Sequence, residues 1–423
     1  MNVLAYPALG ETVYEDSLPN GLRILTVKKP GFHKTFAMFA VRYGGADRRF
    51  RLGDDWIDTP AGVAHFLEHK MFDMPDGSNV LSELSARGAS PNAYTGADMT
   101  AYHITCTDGF YDSLEILLRY VSTPWYTAES VAKEQGIIGQ EIRMYENAPS
   151  SVGYYGLMGI LYACHPVRET VAGTVESIAR ITPETLYDCY KAFYNPSNMV
   201  LCCVGDAEPD AVAEMARRIL PAGTSPAPER DYGPEESLFP TERRIRKTMA
   251  VSAPQFFLGA KLPGGGGAEG LRRQLLGELS LEYLTGSASA FYTDLYSKGL
   301  LGRDFGSEID SAADTMTLLA AGESKDPEAV CAALLERVSL IARRGVDAAA
   351  FERCRRARYG AELGGLDAFA AYARALVRGA FRGWRPADVF PLLESFTPED
   401  AAGFLCENLT EQRIAMSVTA ASE

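Results

Sequence analysis

Residues 64–70 read Ala-His-Phe-Leu-Glu-His-Lys, which sets two histidines, His65 and His69, four positions apart with Glu68 between them. Residues four apart on an α-helix lie on the same face, one turn from each other. Two imidazoles arranged in this way can converge on one divalent metal ion, and the Glu68 carboxylate can reach a water molecule beside it. The spacing, HxxEH, therefore predicts a helix that contributes two ligands to a zinc site.

The residues around these histidines are large and apolar, as Val63, Phe66, Leu67 and Phe72 show. We therefore expect the helix to be largely buried. Burying two imidazoles and a carboxylate without partners costs several kcal/mol, and a bound metal removes that cost. This argument favours a metal site over the alternative of a surface helix with two solvated histidines and a glutamate in a salt bridge.

A catalytic zinc ion needs a third protein ligand and keeps one position open for water. Glu134 and Glu141 are the candidates, since they lie seven residues apart and share a predicted helix face, with Ile137 and Ile138 marking a buried side. Spacing alone does not choose between the two glutamates. The simpler alternative is a charged helix face whose glutamates pair with arginine or lysine.

A chain of 423 residues is too long for one ordinary hydrophobic core and predicts two domains. Five prolines lie between Pro221 and Pro240 among glycine, serine and charged residues, which is typical of a linker. We expect an N-terminal domain over 1–220, a linker at 221–240 and a C-terminal domain over 241–423. Because the halves are similar in size and both mix strands with helices, they suggest duplicated α+β domains.

The local patterns predict strands at 22–27, 36–43, 99–106, 199–204, 254–261 and 314–321. They predict helices at 60–72, 79–87, 109–121, 128–147, 154–163, 269–283, 326–344, 347–362 and 367–380. Thr59 and Pro60 are expected as the N-cap and first residue of the helix that carries His65. The remaining conspicuous histidines are expected to be structural, with His103 packed on a strand and His165 shaping a turn.

Composition excludes several classes of function. The net charge of −14 and the isoelectric point near 5.0 argue against a nucleic-acid partner, which requires a basic surface. No apolar run is long enough to span a membrane, and the N-terminus lacks the pattern of an export signal. The eight cysteines include no CxxC pair. Scattered cysteines of this kind predict reduced thiols and a cytoplasmic location.

HxxEH followed further along the chain by two glutamates seven residues apart resembles the pitrilysin/insulinase family, which includes the mitochondrial processing peptidases. The likeness covers most of residues 15–206 and is looser over 250–420, and the chain looks most like the short bacterial subgroup. The resemblance implies an α+β fold with two homologous α/β-roll domains. Each is a mainly antiparallel sheet flanked by helices, and together they form half of a clamshell.

The resemblance also implies roles for particular residues. In that family the later glutamate of the pair binds zinc and the earlier one supports the site, which carries over to Glu141 and Glu134. The stretch containing Asn92, Ala93 and Tyr94 resembles the edge strand that pairs with the substrate backbone. The implied function is a zinc metallopeptidase that hydrolyses peptides or unfolded segments bound as an added strand inside a dimeric clamshell, with Zn²⁺ as cofactor and Glu68 as catalytic base.

One departure from the family concerns an arginine and a tyrosine that complete the site from the opposite domain. In the matching stretch, Tyr296 stands at the arginine position and Arg303 at the tyrosine position. We expect that a second subunit, homologous but without zinc, supplies the missing pair in a dimer. The alternatives are that Tyr296 and Arg303 serve the same role in this chain, or that the alignment of this stretch is shifted.

Two other functions fit parts of the pattern. A non-catalytic peptide-binding or assembly subunit could have this fold, although the complete HxxEH and both downstream glutamates argue against it. Short lyases that cleave S-ribosylhomocysteine also use HxxEH, but they are far shorter and would leave the second half of the chain unused.

Overall fold

The computed structural model describes residues 1–223 and 225–421, which form two compact units. The first unit consists of residues 1–142, 170–232 and 363–386. The second consists of residues 143–169, 233–362 and those from 387 onward. Each unit thus includes a segment taken from the other half of the sequence, and the predicted domain limits of 1–220 and 241–423 stay a prediction.

The elements are numbered in chain order. The strands are β1 (Asn2–Tyr6), β2 (Glu11–Ser17), β3 (Arg23–Lys28), β4 (Thr35–Val41), β5 (Arg49–Leu52), β6 (Asp55–Asp58), β7 (Ser90–Thr95), β8 (Thr100–Cys106), β9 (Met199–Gly205), β10 (Arg244–Thr248), β11 (Gln255–Leu262), β12 (Gly306–Ala312), β13 (Thr315–Glu323) and β14 (Ala415–Ala420). The helices are α1 (Val63–Lys70), α2 (Val80–Ala86), α3 (Phe110–Val121), α4 (Ala128–Glu146), α5 (Pro149–Leu161), α6 (Val175–Ile178), α7 (Pro183–Phe193), α8 (Pro209–Ile219), α9 (Gly267–Thr285), α10 (Ala290–Ser297), α11 (Pro327–Arg344), α12 (Ala348–Gly365), α13 (Phe369–Arg382), α14 (Val389–Ser395) and α15 (Pro398–Asn408).

The described strands of the first unit form a sheet in the order β1-β2-β3-β9-β4-β8-β7, and β5 and β6 form a separate hairpin. Among the pairs of these described strands, only β3–β9 is parallel. The core lies between this sheet and the helices on one of its faces, and it includes fully buried Phe39, Phe66, Tyr102 and Leu117. Strand β7 is the last in the order, so one of its edges has no strand beside it.

The described strands of the second unit form a sheet in the order β10-β14-β11-β13-β12, in which only the β10–β14 pair is parallel. The same order recurs in the first unit as β3-β9-β4-β8-β7. If the five strands of each set are numbered 1 to 5 in chain order, both sheets have the spatial order 1-5-2-4-3. The shared topology and the mainly antiparallel pairing confirm the predicted α+β fold class.

The start of α1 differs from the prediction, because Thr59 and Pro60 precede the helix and do not cap it. The Thr59 hydroxyl donates to the Arg48 carbonyl, and the N-cap of α1 is Gly62, with a φ of 97°. A Cβ on Gly62 would lie 2.6 Å from the Ala172 carbonyl oxygen. The chain therefore enters α1 in a left-handed conformation, packed against residues more than a hundred positions away.

Helix α5 also starts earlier than predicted, at Pro149 in place of residue 154. Proline suits the first position of a helix because its missing N–H would have no partner there. The other predicted strands and helices lie close to the observed ones.

Candidate metal centre

Two helices of the first unit supply the candidate ligands. In α1, Phe66 and Leu67 are fully buried, so His65 and His69 face away from the core on the other side of the helix. In α4, Ile138 and Ile142 are buried, and the Gln135 side chain donates to the carbonyls of residues 178 and 181. These contacts fix the position of α4 against the remainder of the first unit.

The side chains of His65, His69 and Glu141 converge. One ligand atom from each lies within 4.8 Å of the other two. Nε2 of His65 is 3.7 Å from Oε1 of Glu141, and Nε2 of His69 is 3.6 Å from Oε2. The sequence placed the two histidines on one helix, and the structure brings Glu141 to them from another.

Glu134 lies behind this group. Its Oε1 is 3.0 Å from Nδ1 of His69, which leaves Nε2 of His69 directed toward Glu141. Its Oε2 is 4.0 Å from Nζ of Lys70, a buried lysine that also pairs with Asp73. A carboxylate that accepts a hydrogen bond from the remote nitrogen of a histidine fixes its tautomer and orientation, as is common around metal-ligating histidines.

Glu68 lies on the same helix, and its side chain is held by the edge strand. Oε2 of Glu68 accepts a hydrogen bond of 2.5 Å from the Thr95 hydroxyl at the end of β7. Burial raises the pKa of Glu68, and the charge of Glu141 adds to the rise, against the Thr95 hydrogen bond and the charge of His69. A carboxylate with a raised pKa is better suited to accept and return a proton near neutral pH.

The two histidines differ in their electrostatics. Burial and the neighbouring charge of His69 lower the pKa of His65 to about 4, although Glu141 and Glu134 oppose this. Burial also acts to lower the pKa of His69, but the hydrogen bond to Glu134 and the nearby carboxylates outweigh it and raise that pKa. A neutral imidazole at His65 is the form that binds a metal.

The donor set fits a zinc ion. Two imidazole nitrogens and one carboxylate are the ligand types of catalytic zinc sites. The contacts of 3.6 and 3.7 Å to Glu141 are too long for hydrogen bonds. They are close to the roughly 3.3 Å that separates two ligands of one tetrahedral zinc ion. Among the described residues, Nδ1 of His65 is buried and has no hydrogen-bond partner.

The other predicted residues are distributed as follows. Asn92, Ala93 and Tyr94 lie on β7, the edge strand whose last residue contacts Glu68. Tyr296, in α10 of the second unit, is 45% exposed and stacks on Tyr292. Arg303 is exposed just after that helix.

The two structural histidines are placed as predicted. His103 lies on β8, packed between the rings of Phe36 and Tyr94. His165 accepts a hydrogen bond from the Val167 N–H in the turn that contains Pro166.

Sequence reasoning missed Thr95 and Lys70 as parts of the site. Thr95 stood in the edge-strand stretch, but its partner Glu68 is 27 residues away. Lys70 follows directly after His69, and its burial, at 1% exposure, marks it in the structure alone. A lysine in a helix that is expected to be largely buried is a signal that could have been used, because a buried cation needs an acidic partner.

An α+β fold whose HxxEH helix faces a glutamate from a second helix is the arrangement of the inverzincin class of zinc peptidases. Comparison with known proteins agrees. Residues 57–175 match the family described as Insulinase (Peptidase family M16), and residues 180–358 match the Peptidase M16 inactive domain. The chain belongs to peptidase family M16, which confirms the resemblance to the insulinase family.

Individual relatives extend over the whole chain. An uncharacterized zinc protease of Bacillus subtilis, YmfH, is 36% identical over 97% of both chains. The crystal structure of an M16-like peptidase from Alicyclobacillus acidocaldarius has a TM-score of 0.94 and 35% identity, and covers 99% of this chain and 100% of that one. A Helicobacter pylori protease at 17% identity, with a TM-score of 0.84, shares the fold over 96% of this chain and 99% of that one.

Within the part of the chain that the structure describes, no helix combines the length and apolar character that crossing a bilayer requires.

Proposed function

We propose that this chain is a zinc-dependent endopeptidase in which His65, His69 and Glu141 hold the metal and Glu68 is the catalytic base. One observation carries the proposal. The three ligand atoms converge within 4.8 Å, and the buried Glu68 carboxylate lies one residue from His69 on the same helix. The alternative of a solvated helix face does not account for the contacts that orient these side chains, from Glu134 to His69 and from Thr95 to Glu68.

Each residue then has a chemical task. Zinc bound by these ligands supplies Lewis acidity that polarises the scissile carbonyl and makes water easier to deprotonate. Glu68 accepts a proton from the attacking water and passes it to the nitrogen of the leaving amine. Thr95 orients the Glu68 carboxylate by donating to Oε2, and Glu134 orients His69 through Nδ1.

The substrate is a peptide or unfolded segment that binds as an additional strand along β7. Because β7 is the last of the described strands in its sheet, one of its edges offers backbone groups that can bond to an extended peptide with little dependence on its sequence. Thr95 ends this strand and contacts Glu68, so a peptide running along Asn92, Ala93 and Tyr94 leads to the base.

The enzyme acts as a dimer with a homologous subunit that lacks the zinc ligands and supplies an arginine and a tyrosine. The support is the departure at Tyr296 and Arg303, which hold the family's two residue types in exchanged positions. Co-purification from the source cell, followed by mass spectrometry, tests this part. Recovery of the chain with copies of itself alone would contradict it.

The test of the chemistry is Glu68→Gln, which keeps the shape of the side chain and removes the base. We expect zinc content to stay near that of the wild type, while hydrolysis of a quenched-fluorescent peptide library falls about 10²- to 10⁴-fold. The matched control is Glu83→Gln, an exposed glutamate on α2, which should leave both unchanged.

Two outcomes count against the proposal. A zinc-loaded Glu68→Gln protein that still cleaves would exclude Glu68 as the base. Wild-type protein that holds zinc, is given its co-purified partner and cleaves no library member would favour the non-catalytic peptide-binding alternative.

A further inference from the structure

The face of the first sheet that lies opposite α1 carries a group of polar side chains near the free edge of the sheet, formed by Tyr94, His103, Arg374 and Arg378. Ala93 pairs with Tyr102, and both pack in the core beneath α1. Because side chains alternate along a strand, Tyr94 on β7 and His103 on β8 point to the opposite face. Their rings lie there with centroids 6.3 Å apart. This face is not used by the metal site.

Helix α13 covers part of the same face, packed on β9 and β4. Arg374 and Arg378 lie one turn apart on α13, and both are exposed. The charges of both arginines and the opposite charge of Asp98 act on the Tyr94 hydroxyl, and the charge of Arg374 also acts on His103. One turn further on, Arg382 is paired with Asp98 at 2.7 Å.

The group has unused hydrogen-bonding capacity. Across residues 1–223 and 225–421, Arg374 and Arg378 form no hydrogen bond or ion pair. The Tyr94 hydroxyl and Nδ1 of His103 are buried atoms that also lack a hydrogen-bond partner in that part of the chain. Buried polar atoms without partners are rare in folded proteins and are one sign of a missing ligand.

The chemistry of the group selects an anion. Two guanidinium groups provide positive charge and paired N–H donors that match the two oxygens of a carboxylate. Burial raises the pKa of Tyr94 despite the two arginines, so its hydroxyl keeps the proton that it can donate. In a chain with a net charge of −14, Arg374 and Arg378 lie one turn apart and have no ion-pair partner among the described residues.

We propose that Arg374, Arg378 and Tyr94 form a subsite for an aspartate or glutamate side chain of the peptide that lies along β7. The inference rests on the proposed function, because it assumes that a peptide binds at this edge. Side chains of an added strand alternate between the two faces. Those on the Tyr94 side therefore meet the arginines, and those on the Thr95 side face α1 and the metal centre. The subsite therefore selects an acidic residue at one position of the bound peptide. That position is an odd number of residues away from the peptide residues whose side chains face the metal centre.

The test uses a set of quenched-fluorescent peptides in which one glutamate is moved along an otherwise constant sequence, each with a glutamine twin. At one position we expect the glutamate peptide to have about tenfold higher kcat/KM than its twin, mainly through KM. Added salt should weaken this preference. The double substitution Arg374→Gln/Arg378→Gln should reduce the ratio to less than about twofold.

The matched control is Arg217→Gln/Arg218→Gln, which removes two exposed arginines from α8, a helix that packs on α3. It should keep the full glutamate preference. A preference that persists in the Arg374/Arg378 double variant, or one lost equally in the control, would overturn the subsite.

A binding assay separates this inference from the proposed function. Fluorescence anisotropy of the same labelled peptides with the Glu68→Gln protein reports selection without cleavage. A glutamate preference in binding that depends on Arg374 and Arg378 supports the subsite even if the wild type cleaves nothing. Cleavage or binding with no preference for glutamate at any position rejects the subsite and leaves the peptidase assignment standing.

Discussion

The sheets of the two units share a five-strand order in which β4 and β11 are equivalent. The helices that follow these two strands carry different side chains. In the first unit, α1 comes next after β4 and the β5–β6 hairpin, and it carries HxxEH. In the second unit, α9 follows β11 and contains no histidine. Its Glu278 is paired with Arg358 at 2.6 Å, so this acid serves an ordinary ion pair.

This difference shows how little of the site depends on the topology. The same arrangement of strands can place a helix against a sheet with or without metal ligands, because the ligands use the helix face that the core leaves free. The chemistry proposed for the first unit depends on a few side chains on α1 and α4, together with Thr95 at the sheet edge. The comparison can be tested by changing matched positions in the two units.

The largest effect is expected from Glu141→Gln, which removes the charged ligand atom and keeps the side-chain volume. Metal content after dialysis should fall from about one zinc per chain to near zero, a loss in affinity of more than about 100-fold. The matched change is Glu282→Gln, an exposed glutamate on α9, which should leave zinc content unchanged. Equal zinc loss in both variants, or full retention in Glu141→Gln, would contradict the difference between the units.

A smaller effect is expected at the first turns of the two helices. Gly62→Ala puts a Cβ on a residue with φ of 97°, 2.6 Å from the Ala172 oxygen, and should cost about 2 kcal/mol or more of stability. Gly267→Ala at the start of α9 has a φ of 65° but open space around it, and should cost about 1 kcal/mol.

Thermal unfolding followed by circular dichroism measures both glycine variants. The Gly62 variant should have the lower melting temperature, by several degrees. A Gly267 variant that melts as low as the Gly62 variant would show that the left-handed conformation alone matters, and not the close packing at the start of α1.

The smallest effect concerns acid stability in the second unit. Burial acts to raise the pKa of Glu236, but the N–H groups of residues 163, 164 and 165 and the charge of Lys261 outweigh it and lower that pKa to about 2. A carboxyl whose pKa is lowered in the folded state stabilises the protein when the pH is above 4.5, its ordinary pKa. This contribution is lost as the pH falls toward 2.

Glu236→Gln tests this effect through urea unfolding measured from pH 7 to pH 2.5. The variant should be less stable than the wild type at pH 7, and the difference should shrink as the pH falls below about 4.5. A difference that stays constant with pH would show that Glu236 acts through shape or hydrogen bonding and not through its charge. The zinc content of the first unit should be unaffected at pH 7.

The parts of the site that the sequence predicted are local in the chain. His65, Glu68 and His69 follow from helix periodicity, since spacing of three and four residues fixes a shared face whatever the helix packs against. The same periodicity put Glu134 and Glu141 on one helix face but could not rank them. The family resemblance ranked them. In the structure, Glu141 faces Nε2 of both histidines and Glu134 faces Nδ1 of His69.

The prediction of the helix start at Thr59 and Pro60 failed for a related reason. Capping preferences describe a helix end in isolation. Here the start of α1 is set by a close approach to residue 172, a contact between segments far apart in sequence.

Among the described elements, the sequence by itself determined the HxxEH pattern of α1, the α+β class, and the positions of nine of the fifteen helices and six of the fourteen strands, because these follow from local residue patterns. Tertiary structure decided that Thr95 holds Glu68, that Lys70 is buried beside Glu134, and that Arg374 and Arg378 lie near β7. These contacts join residues between 27 and 284 positions apart. Only the folded sheet and the helices on its two faces determine such distances, since no local periodicity extends across the intervening chain.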